Sequence, residues 1–120
     1  MRIENIEATT FTIFDAPRLD PVTVVLQDMG GCGRLIVECF GCAWSGYWGA
    51  IGNETLKDFL IGCDPEYISG KMEPNDRRMK KGERAYFLRI VQAVHSALTP
   101  NVQIEGQPAS GLSRSNAGLG

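Results

Sequence analysis

The stretch 22–48, VTVVLQDMGGCGRLIVECFGCAWSGYW, decides the fold. Val22, Val24 and Leu26 alternate with Thr23, Val25 and Gln27, the period of a strand with one buried face. Leu35, Val37 and Cys39 repeat the alternation within residues 34–40, and a further run, 43–48, follows directly after Gly41-Cys42. Between the first two runs, residues 28–33 hold three glycines, which suits a turn or a bulged hairpin. Strands joined this closely pair antiparallel, because parallel pairing needs a crossover of about a dozen residues or more. The sequence therefore predicts an antiparallel β-meander.

Upstream, residues 2–14 are rich in Ile, Thr and Phe and read as a first strand, giving about four in all. Ala16-Pro17 ends it, since proline cannot donate to a ladder and restricts the residue before it. Downstream the period changes. Leu56, Phe59, Leu60 and Cys63 fall at helical spacing, with Asn53 or Thr55 as cap and Thr55 with Asp58 resembling a capping box. Asp64-Pro65-Glu66 starts a second, brief helix that ends near Gly70. Residues 71–82 read as a charged loop, and 83–98 as the longest helix, with Phe87, Ile90, Val91, Val94 and Leu98 as its buried stripe. The expected class is α+β, a meander packed by C-terminal helices. Residues 1–100 are expected to form a single domain, and 101–120, rich in glycine and serine, a flexible polar tail.

The formal net charge of −2 argues against a generally basic nucleic-acid binder. Positive charge is nevertheless concentrated. Lys71, Arg77, Arg78, Lys80, Lys81 and Arg84 outnumber Glu73, Asp76 and Glu83 in one short window. No apolar run is long enough to span a bilayer, and the N-terminus lacks the apolar core of a signal peptide. A cytoplasmic protein with reduced thiols and no membrane partner is expected.

Four groups of residues carry candidate chemistry. Cys39 and Cys42 have C-x-x-C spacing and, with Cys32 and Cys63, supply enough thiolates for a tetrahedral zinc. Against that, Cys39 falls on a core face, Cys63 completes an apolar stripe, and only one tight pair is present; buried thiols are the favoured reading. A redox role needs C-x-x-C at a helix start, whereas this one spans a β-turn. Trp44, Tyr47 and Trp48 form an aromatic strand, either core or a platform for single-stranded nucleic acid with Arg34 nearby. Arg77, Arg78, Lys80 and Lys81 form a basic cluster, either a solvated linker or a contact for phosphates or an acidic protein surface. His95 is the only histidine and borders the last helix's stripe. Carboxylates are scattered, so no catalytic constellation, enzyme activity or cofactor is expected.

The chain resembles a group of small accessory proteins of lambdoid-type phages and prophages. The likeness lies in residues 20–24 and 33–39, in 44–49, in Gly52-Asn53, Phe59 and Cys63-Asp64, and in 86–94. It implies no catalytic residues. It implies a protein that acts by binding, through inhibition or modulation of a host or defence protein complex, or by assisting phage DNA metabolism. The readings to be tested are thus a protein-binding accessory protein, a single-stranded nucleic-acid binder, and a zinc-stabilised small domain.

Overall fold

Two tight turns set the sheet. Met29 N–H donates to Cys32 O at 2.9 Å, leaving Gly30 (φ 72°) and Gly31 (φ 83°) as turn residues. Phe40 (φ 52°) and Gly41 (φ 80°) close the next hairpin in the same left-handed region. Paired positive φ values are the signature of turns whose twist matches that of the flanking strands. Glycine adopts them freely; Phe40 is bulky, and it stands 80% exposed at the tip. The Glu38 carboxylate helps to hold this tip by accepting from Gly41 N–H at 3.0 Å.

A computed structural model describes residues 1–100; the tail expected at 101–120 lies outside the described residues. The strands are β1 (Thr9–Ile13), β2 (Val22–Asp28), β3 (Gly33–Cys39) and β4 (Cys42–Trp48), in one antiparallel sheet of order β1-β2-β3-β4. The expected meander is present, with a shorter first strand. Thr9 already sits opposite Leu26, and β2 turns away after Asp28, so residues 2–8 have almost no ladder left to join. Ile3 and Ile6 are accordingly exposed.

The helices are α1 (Leu56–Ile61), α2 (Pro65–Lys71) and α3 (Lys81–Leu98). Thr55 caps α1 by accepting from Asp58 N–H, and Asp64 caps α2 by accepting from Glu66 N–H ahead of Pro65. α3 starts two residues earlier than the periodicity suggests, at a lysine cap with no side-chain bond.

All three helices serve one face of the sheet. Val22, Val24, Leu26, Leu35, Val37, Cys39, Trp44 and Trp48 are buried there, and the five stripe residues of α3 are buried against them. Trp44 stacks on Phe87 with ring centroids 4.6 Å apart, and Trp48 meets Phe59 edge-on at 6.3 Å. Gly46, between the indoles, admits Met72; a Cβ there would lie 2.8 Å from Met72 Cγ. His95 Nε2 lies 3.0 Å from Ile61 O, tying α3 to the end of α1. The other face carries Thr23, Val25, Arg34, Ile36, Glu38, Ser45 and Tyr47, all half-buried or exposed.

Phe87→Ala removes the ring under Trp44 from a fully buried site and is expected to cost about 3–5 kcal/mol. Urea unfolding followed by circular dichroism checks this; a loss below about 1 kcal/mol would show that the stack is not central.

Candidate functional site

Strand parity divides the aromatic trio. Trp44 and Trp48 point to the helix-covered face, 5% and 3% exposed, while Tyr47 points to the open face at 46%. The indoles therefore do not form a stacking platform for bases, and of the expected aromatic surface only Tyr47 is presented to solvent. The cause is register. Trp44 and Trp48 lie opposite Val37 and Gly33 and share their buried face. Trp48 Nε1–H donates to Tyr67 Oη at 3.1 Å, a bond that ties β4 to α2. Trp44 Nε1 is buried with no well-aligned acceptor among the described residues, close enough to the Glu83 carboxylate to favour its ionised form.

Around Tyr47 a small polar site forms. The Arg34 guanidinium sits 5.3 Å from the Tyr47 ring centroid and donates to Gln27 Oε1 at 3.2 Å. The Cys32 thiol lies near the Tyr47 hydroxyl, and its influence pushes the phenol pKa above its ordinary value. Beside this cluster runs a groove of about 860 Å³, floored by residues 43–47 and walled by residues 70–75. It shares Glu73 and Asn75 with a shallower basin of about 460 Å³ lined by Asp76, Arg77, Arg78 and Arg84.

The basic segment is a braced loop. Met72 and Met79 are buried at its two ends, 1% and 4% exposed. Glu73 Oε2 accepts from Arg84 Nη2 at 2.7 Å and from Met79 N–H at 3.3 Å. Arg77 grips Glu83 through two bonds of 2.8 Å. Pairs this exposed add little stability, but a two-pronged grip fixes geometry. Arg77 and Arg84 thus face inward to the loop's own acids. Arg78, Lys80 and Lys81 are exposed and have no ion-pair partner among the described residues. The structure brings Tyr47 and Arg77–Arg78 to adjoining surfaces; Lys80 and Lys81 stand apart, at the start of α3. The buried methionines and the Glu73 brace were missed by sequence reasoning. An apolar Met79 inside a run of five otherwise charged positions was the available signal.

The cysteines do not converge. Cys32 lies in the Gly30-Gly31 turn, while Cys39 and Cys42 flank the turn at the opposite end of β3, about 20 Å away at strand rise. Cys63 follows α1. This separation overturns the four-thiolate zinc site. Cys39 is buried with Sγ 3.4 Å from Tyr86 Oη, and that bond, with burial, pushes the Tyr86 pKa up to about 12. Cys42 is exposed. No helix among the described residues is long and apolar enough to cross a membrane.

A protein-family model described as a phage family matches residues 1–89. No curated protein and no solved structure matches the chain.

The loop brace has a pH signature. The Arg77 hydrogen bonds hold the Glu83 carboxyl below the usual carboxylate range. Its contribution to stability is therefore present above the unfolded value of about 4.3 and is lost as pH falls through the lowered folded value. Melting scans from neutral pH downward should show wild type above Glu83→Gln, with the gap closing in acid. A gap that does not change with pH would contradict the brace.

Proposed function

The chain belongs to this phage family, and from that premise we propose that it is an accessory protein acting by binding, not by catalysis, on a host or defence protein. A lambdoid-type phage or prophage origin and a site of action in the host cytoplasm belong to the same proposal. The observation that carries it is the braced basic loop. It holds Arg78 outward beside the groove along β4, on a protein that is acidic overall. An ordered loop loses less conformational freedom on association than a mobile one, so its charges are ready for a complementary surface.

A single-stranded nucleic-acid role has less support. With both indoles in the core, Tyr47 is the one ring of the trio left to stack a base, whereas such sheets stack several. The open face also carries a carboxylate, Glu38, on the same strand as Arg34.

Cross-linked capture from host lysate should recover a protein with the wild-type chain and lose it with the Arg78→Glu, Lys80→Glu, Lys81→Glu triple variant. In parallel, a labelled oligothymidylate should show no change in anisotropy at low salt. A wild-type chain that captures nothing above background counts against a protein partner. Oligonucleotide binding that weakens steeply with salt would move the assignment to nucleic acid.

A further inference from the structure

β4 is an edge strand, and its free side is unusually unguarded. The turn at Phe40-Gly41 makes Cys39 and Cys42 its closing hydrogen-bonded pair. Alternation along the ladder then gives hydrogen-bonded pairs at Val37–Trp44, Leu35–Gly46 and Gly33–Trp48. Ala43, Ser45 and Tyr47 consequently direct their N–H and C=O groups away from β3. Among the described residues no loop or helix answers them.

Natural sheets protect such an edge with a short strand, a proline, a charged side chain or a bulge. β4 has none of these. It runs seven residues, Cys42 to Trp48, without a charge or a proline, and its register with β3 is unbroken. The opposite edge, β1, is five residues long and carries three threonines. Residues 70–75 could have covered the β4 edge; they stand off as the far wall of the 860 Å³ groove.

The groove also has a sign. Arg34 and Lys71 line it, while past Asn75 the adjoining basin adds Arg78 together with Asp76, whose charges offset each other. Glu73, the one carboxylate that lines the groove among the described residues, is occupied by Arg84 and the Met79 amide. Uncompensated charge in the groove is therefore positive.

We infer that the β4 edge is a docking strand, onto which an extended, acidic segment of a protein partner adds as a further antiparallel or parallel strand. Ala43, Ser45 and Tyr47 supply the main-chain bonds, which give affinity with little regard to sequence. Arg34 and Lys71 select for acidic side chains. This inference rests on the protein-binding function proposed above and specifies its mode.

The test uses fluorescein-labelled peptides of about nine residues, the length of β4 with one residue added at each end, alternating valine and glutamate. Anisotropy should show binding, weakened about tenfold or more when lysine replaces glutamate. Two further peptides are N-methylated at alternate residues, in opposite frames. Strand addition uses the amides of one frame only, so one should lose binding and the other keep it. Amide exchange should slow at Ala43, Ser45 and Tyr47. Ser45→Pro removes an outward donor at an edge position that tolerates proline; it should lose peptide binding while melting as wild type does. Lys71→Glu, at the exposed end of α2, should weaken the acidic peptide without touching the strand.

The inference is overturned by absence of binding, by equal losses in both methylation frames, or by unchanged exchange along β4. Self-association through β4, seen by sedimentation, would overturn it in favour of a second copy as occupant. If Ser45→Pro still captures the lysate partner that the triple variant loses, the docking mode fails while the binding function stands. If the wild type captures no protein yet binds the acidic peptide in one frame, the function fails while the edge site stands.

Discussion

Everything in this molecule depends on a sheet that is covered on one side only, and the Trp44–Phe87 stack is where that cover is fastened. Trp44 is on the last strand and Phe87 is on the last helix, so their contact brings the C-terminal half back across the meander. Once Trp44 is committed to the core, strand alternation commits Trp48 with it and sends Ala43, Ser45 and Tyr47 outward. The open face, the free edge and the groove are consequences of that parity. Gly46 completes the arrangement, because a side chain there would push Met72, and with it the start of the basic loop, away from the sheet.

The elements were legible where the chain repeats itself. Val22-Val24-Leu26 and Leu35-Val37-Cys39 read as half-buried strands, and Phe87 to Leu98 as an amphipathic helix, since each pattern needs only its own period. Thr55, Asp64 and Pro65 were legible for the same reason; capping is local chemistry. β1 was overread because Ile3 and Ile6 resemble strand residues, while the length of the ladder is fixed by where β2 turns.

The candidate surface was only half legible. The basic cluster and Tyr47 were visible in the sequence, and so was the face that Trp44 shares with Trp48. Which face the helices would take was not, as that choice is tertiary. Nor did charge counting reveal that Arg77 and Arg84 would be held by Glu83 and Glu73. Those pairs span six and eleven positions, in a loop whose ends are buried at Met72 and Met79. The thiols were legible as to burial for Cys39, and the distance between the two ends of β3 settled what spacing alone left open.

The two tight turns have a further consequence, for synthesis. Residues 22–48 contact mainly their immediate neighbours, and such hairpins form within microseconds of emerging. α3 is completed about fifty residues later, which at ~5–20 residues per second is a delay of several seconds. During that interval the meander has its ladder but not its lid, and both indoles lie bare beside an unguarded edge. The nascent chain is therefore at its most adhesive just before α3 arrives. Crowding of many copies at that stage would favour strand exchange between chains over completion of one.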